Sequence, residues 1–170
     1  MFQNFFQSRQ VLNADSFNQE FLAHPLHQWI LADKYLFRGI SEFLEALTHE
    51  DRISLMKRKR KLILTPASGR YSCALNGSDE YEFILVFPDL VEILKSAAPE
   101  RGIAILLHEA GHLVRRHSDR SLNIIEAQLE ADAFCAHRGY GDALTSFLMD
   151  LEQTPEIDLR IRYLETQMVI

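Results

Sequence analysis

Apolar residues recur three and four apart along most of this chain, and the exceptions are confined to one central stretch. Phe17, Phe21 and Leu22 belong to a predicted helix opened by Ser16-Phe17-Asn18-Gln19, which has the form of a capping box, and ended or kinked by Pro25. A second helical pattern begins near Asp33 and carries Tyr35, Leu36, Ile40, Phe43, Leu44 and Leu47, and a third covers about residues 50–56. The period then changes to two. Leu62 to Thr65, Arg70 to Leu75 and Glu80 to Phe87 read as strands, the last two joined by Asn76-Gly77, a hairpin signal. In the third strand Tyr81, Phe83, Leu85 and Phe87 face one way, and Glu82, Ile84 and Val86 the other. Helical spacing returns from Asp89 to Ala98, and Pro99 suits the first turn of the helix after it. Further helices are expected at about 121–138, closed by Gly139-Tyr140-Gly141, at 142–152 and, after Pro155, at 156–167. The expected class is α+β, a mostly helical domain with a small antiparallel sheet. No repeat or linker divides 1–170, within which 1–60 form an N-terminal helical segment and 61–170 carry the sheet and the remaining helices.

Composition narrows the partners rather than the fold. A formal net charge of −6 sets a long-range field that repels phosphate, which argues against nucleic acid and anionic membrane surfaces. The basic run Lys57-Arg58-Lys59-Arg60-Lys61 could override this locally, but it suits a solvated helix end and has no aromatic residue interleaved. No apolar run approaches the roughly 18 residues of a transmembrane helix, and the N-terminus does not read as a secretory signal. Two cysteines, Cys73 and Cys135, are too few for a disulfide framework and point to a reducing cytoplasm.

The chemistry concentrates in Ile103-Ala104-Ile105-Leu106-Leu107-His108-Glu109-Ala110-Gly111-His112-Leu113-Val114. On a helix His108 and His112 lie one turn apart on one face, so both imidazoles can reach a single zinc ion. Glu109 is displaced to one side, where its carboxylate can hold and deprotonate a zinc-bound water. Ala110 and Gly111 are small, and a bulky residue there would crowd the substrate or a helix bearing a third ligand. Catalytic zinc usually has three protein ligands. His117 points about 180° from His108 if the helix continues, and it reads as a helix-end or surface residue.

The segment Ile124-Ile125-Glu126-Ala127-Gln128-Leu129-Glu130-Ala131-Asp132-Ala133-Phe134-Cys135-Ala136 offers the third ligand. With the His-Glu-x-x-His pentapeptide it resembles the gluzincin metallopeptidases, particularly the branch of CAAX prenyl endopeptidases, bacterial heat-shock membrane peptidases and their small soluble relatives. The resemblance covers about residues 81–164 and is strongest at the pentapeptide. It implies a zincin-like domain, a glutamate ligand from the later helix, and an aspartate four residues on, here Asp132, that orients a ligand histidine. The register places Gln128 where the family has Glu. The stronger donors Glu130 and Glu126 stay open as alternatives, because a glutamine oxygen is a weaker, neutral ligand. Glu126, Glu130 and His137 share one stripe of the helix, and Gln128 and Asp132 share another nearly opposite.

These residues point to a zinc-dependent metallopeptidase, an endopeptidase with one Zn2+ per chain, acting on a peptide or protein substrate with Glu109 as general base. The strand Tyr81 to Phe87 would then be the edge to which a peptide adds. Tyr140, His137 and Tyr163 are the candidates to stabilise an oxyanion. The alternative is a peptidase-fold protein, weak or inactive as a catalyst, that acts as a binding or regulatory module, which Gln128 favours.

Overall fold

The computed structural model of the chain describes residues 14–56, 61–68, 72–76 and 80–167. In chain order these form α1 (Ala14–Leu22), a 3-10 turn (Pro25–His27), α2 (Gln28–Leu31), α3 (Lys34–Ala46) and α4 (His49–Met56). The strands β1 (Lys61–Pro66), β2 (Ser72–Asn76) and β3 (Tyr81–Val86) follow, then α5 (Pro88–Lys95), α6 (Glu100–Arg115), a 3-10 turn (His117–Asp119), α7 (Ile124–Cys135), a π-helical turn (Ala136–Tyr140), α8 (Gly141–Met149) and α9 (Pro155–Gln167). The fold is mostly helical with one small sheet, of the expected α+β class.

Local chemistry sets the helix ends. Asp33 caps α3, its Oδ1 accepting from Tyr35 N and Leu36 N. Thr48 and Asp51 do the same reciprocally for α4, through Thr48 N to Asp51 Oδ2 and Asp51 N to Thr48 Oγ1. Two starts differ from the sequence reading. α1 begins at Ala14, so Ser16 lies inside its first turn. α7 begins at Ile124 rather than near Ser121, because Asn123 and Glu126 form a full capping box.

The sheet order is β1-β3-β2. β2 pairs antiparallel with β3, as the hairpin signal predicts, with Asn76 opposite Glu82; Gly77 itself lies outside the described residues. β1 pairs parallel with β3, in register from Lys61 opposite Tyr81 to Pro66 opposite Val86. The sheet is therefore mixed, which corrects the antiparallel expectation. Leu62, Ile63 and Leu64 are buried in succession, the continuous apolar run of a strand covered on both faces rather than the alternation of a half-exposed one. A second correction follows. β3 is the central strand, with neighbours on both sides, so a peptide cannot add to it; β1 and β2 are the edge strands, and β2 packs against α6. Of the basic run, Lys57 to Arg60 lie outside the described residues, and Lys61 opens β1 with its Nζ 3.1 Å from Glu20 Oε1.

One apolar core joins these parts: Phe17, Ile40, Phe43 and Leu44 from the N-terminal helices, Leu64 and Ile84 from the sheet, Leu106 and Leu107 from α6, and Phe134 and Leu164 from α7 and α9. His27 ties the N-terminal helices to the sheet. It is fully buried, its Nδ1 2.6 Å from Phe21 O and its Nε2 accepting from Leu64 N at 3.0 Å. The ring is therefore the neutral Nδ1–H tautomer, donating to a carbonyl and accepting from an amide.

Burial lowers the His27 pKa, against an opposing pull from the Phe21 carbonyl. The unfolded chain binds a proton at this site below about pH 6.5 and the folded chain resists it, so the stability that His27 contributes is present above that value and is lost as pH falls below it. His27→Leu removes this share of the acid sensitivity and strands the Phe21 carbonyl and the Leu64 amide, at about 1–3 kcal/mol each. Urea denaturation of both proteins across pH 5–7.5 reads both effects.

Candidate metal centre

α6 is a core helix before it is anything else. Residues 102–108 are all buried, and so are Ala110, Gly111 and Leu113. The face that carries His108 and His112 is turned toward α7. The two rings stand nearly perpendicular, at 82°, and their Nε2 atoms lie 3.1 Å apart. Two nitrogens bound to one tetrahedral zinc at about 2.0–2.1 Å are separated by ~3.3 Å, so this spacing fits a pair that shares an ion.

Each imidazole is backed on its other nitrogen. His108 Nδ1 lies 2.8 Å from Asp132 Oδ1, and Asp132 has no exposed surface. The same carboxylate accepts two bonds from Arg160, Nε to Oδ2 and Nη2 to Oδ1, both 2.8 Å. Burial alone would raise the Asp132 carboxyl, but Arg160 and His108 outweigh it and hold it below its ordinary value. His112 is pushed down to about 3 by burial and by the neighbouring His108 and His117, so it is neutral near pH 7, the form in which an imidazole binds a metal.

His117 departs from the sequence reading. α6 ends at Arg115, and Arg116 takes the left-handed conformation (φ 58°, ψ 45°), its N–H bonding back to the carbonyls of the last turn. The chain reverses there instead of continuing as a helix. His117 is brought beside His112, Nδ1 to Nδ1 at 2.7 Å, and only 7% of its side chain is exposed. Its Nε2 lies 3.1 Å from Glu130 Oε2. Spacing along an uninterrupted helix could not have found it. The available signal was the local Arg-Arg-His-Ser-Asp polarity, which gives no turn direction.

Of the segment that might complete the site, Asp132 and Gln128 lie on the face of α7 toward α6. Gln128 Oε1 is buried with no hydrogen-bond partner, one turn before Asp132. Glu130 is held by Arg120 through Nη1 to Oε2 at 2.6 Å and Nη2 to Oε1 at 3.0 Å, and Arg120 is the main cause of its lowered pKa. Glu126 is exposed and engaged in the capping box. Among the described residues, no three His, Cys, Asp or Glu side chains are arranged to hold an ion. The converging donors are thus two imidazoles, with a neutral amide oxygen unpartnered on the neighbouring helix.

Glu109, half-buried, follows His108 on α6. The three oxyanion candidates separate by placement. His137 is exposed on the π-helical turn. Tyr140 is raised in pKa by burial and then by Glu42 and Glu100; Glu100 opens α6, about 12 Å along the helix before His108. Tyr163 lies three residues after Arg160 on α9, the helix that reaches Asp132. Cys135 is a buried free thiol whose pKa burial raises, an inert packing residue; Cys73 lies on β2.

Gly111 permits this arrangement. A Cβ there would stand 3.1 Å from Phe134 Cβ and 3.2 Å from Ala131 Cα, so a larger residue has to push α7 away from α6. Gly111→Val is expected to destabilise the fold by about 1–3 kcal/mol through overpacking, measured by urea denaturation. Its far-UV circular dichroism should remain helical.

Among the described residues no helix is long and apolar enough to cross a membrane. Compared with protein-family models, curated proteins and solved structures, the chain matches none.

Proposed function

We propose that this chain is a zinc-dependent metallopeptidase of the compact gluzincin type, acting on peptide substrates in a reducing, cytoplasmic setting. The observation that carries this reading is the convergence of His108 Nε2 and His112 Nε2 at 3.1 Å with Asp132 behind His108. Two imidazoles, one oriented by a carboxylate, form the usual nitrogen half of such a site. Gln128 Oε1, buried and unpartnered at the position the resemblance marks, suits the third ligand better than Glu130, which Arg120 already neutralises.

Zinc held by these groups supplies a Lewis acid that makes water more acidic and a carbonyl carbon more electrophilic. The chain's own residues do the rest. Glu109 takes a proton from the attacking water and returns it to the leaving nitrogen, so the C–N bond breaks as the new C–O bond forms. Tyr163, on the helix that also carries Arg160, is the candidate donor to the oxyanion. A peptide lies along β2, an edge strand packed on α6, and takes main-chain hydrogen bonds from it. Glu109→Gln is expected to keep about one zinc per chain and to lose hydrolysis of an unfolded casein substrate by a factor on the order of 10²–10⁴. Turnover equal to wild type would refute the role of Glu109.

A second reading rests on Gln128: a neutral third ligand gives weak zinc binding, and the chain would then act as a binding or regulatory module. Zinc content after dialysis against zinc-replete buffer separates the two, with about one ion per chain expected for the enzyme. Gln128→Glu should tighten zinc binding if residue 128 is the ligand, and an unchanged dissociation constant would exclude it.

A further inference from the structure

We infer that His117 is a positioning residue for the proposed metal centre, fixing the tautomer of His112 through a relay that ends at Glu130. The inference deepens the metallopeptidase reading and rests on it.

The relay follows from donors and acceptors. To bind an ion through Nε2, His112 must carry its proton on Nδ1. That atom is 2.7 Å from His117 Nδ1, so His117 Nδ1 must accept and the His117 proton must sit on Nε2. His117 Nε2 is 3.1 Å from Glu130 Oε2, which accepts it. Glu130 is held in place by the two bonds from Arg120 and kept ionised by them. If both histidines are neutral, the pair has four proton arrangements. Only one leaves His112 Nε2 free while keeping the contact between the two Nδ1 atoms, and it is the one that Glu130 favours. His108 reaches its carboxylate directly, through Asp132; His112 reaches one through a second imidazole. Glu130 therefore acts on the site at a distance rather than as a ligand, which accounts for its engagement by both Arg120 and His117. The left-handed Arg116 is the structural device that makes the relay possible, because it turns residue 117 back over the last turn of α6.

The test compares wild type, His117→Leu and His117→Asn. Zinc dissociation constants are measured by competition with a chromophoric chelator, visible spectra are recorded on the cobalt(II) proteins, and thermal denaturation is followed without metal. His117→Leu should bind zinc about 10–100-fold more weakly while its cobalt spectrum keeps the intensity of the wild-type site. In His117→Asn the amide oxygen stands where Nδ1 was and can accept from His112, so binding should return to within about threefold of wild type. Equal affinity in wild type and His117→Leu overturns the inference. So does an asparagine variant as weak as the leucine one, which would make residue 117 a packing residue, or loss of the cobalt spectrum in His117→Leu, which would make it a ligand. If wild type itself takes up no zinc, the metallopeptidase reading fails before any variant is compared.

Discussion

A carboxylate with no exposed surface sits at the centre of this molecule, and the arrangement of its second half depends on how that carboxylate is satisfied. Removing Asp132 from water costs several kcal/mol, and the attraction of a single cation at contact distance recovers a similar amount, so the ion pair adds little net stability. What it supplies is direction. Two parallel bonds from Arg160 fix the plane of the carboxylate, and the remaining approach to Oδ1 is taken by His108. α9, α7 and α6 are thereby held in one mutual orientation by three side chains.

Just past the same end of α7 the chemistry recurs. Arg138 donates through Nε to Asp51 Oδ2 at 2.8 Å and through Nη1 to the Phe134 carbonyl at 2.6 Å, and its guanidinium lies 3.2 Å from the centre of the Phe134 ring. Asp51 is itself half of the reciprocal cap of α4, so the N-terminal helices are joined through one buried acid to the turn that follows α7. Beside these anchors Gly111 lets α7 approach α6 closely, against Ala131 and Phe134. A helix held by two charged anchors and a close contact, all in its C-terminal part, keeps the donors of that part in register with α6.

Much of this was legible in the residues, and what was not has a physical pattern. The helices followed from three-and-four spacing, and the face of α6 followed from the pentapeptide, because intrahelical geometry is set by sequence distance alone. That Asp132 would orient a ligand histidine came from a resemblance, which did not say whether His108 or His112, and Arg160 was missed altogether: no local rule says which arginine of a distant helix will meet a buried acid. His117 was misplaced because one left-handed residue reverses the chain, and an arginine gives no warning of it as a glycine would. Sheet order was likewise hidden, since alternation reports which faces are covered and not which strand lies beside which. The unbroken apolar run of Leu62-Ile63-Leu64 was the one clue to a parallel neighbour.

His27 has a meaning for the sheet beyond joining two parts of the fold. Leu64 N–H points away from β3, along the open border of β1 where an incoming chain would pair, and the imidazole occupies that donor. Natural sheets guard such borders with charge, proline or a covering loop, and here a buried ring from a helical turn does the guarding. One donor on that border is thereby withheld from an incoming strand, so the contact that joins the helical turn to the sheet also guards its edge.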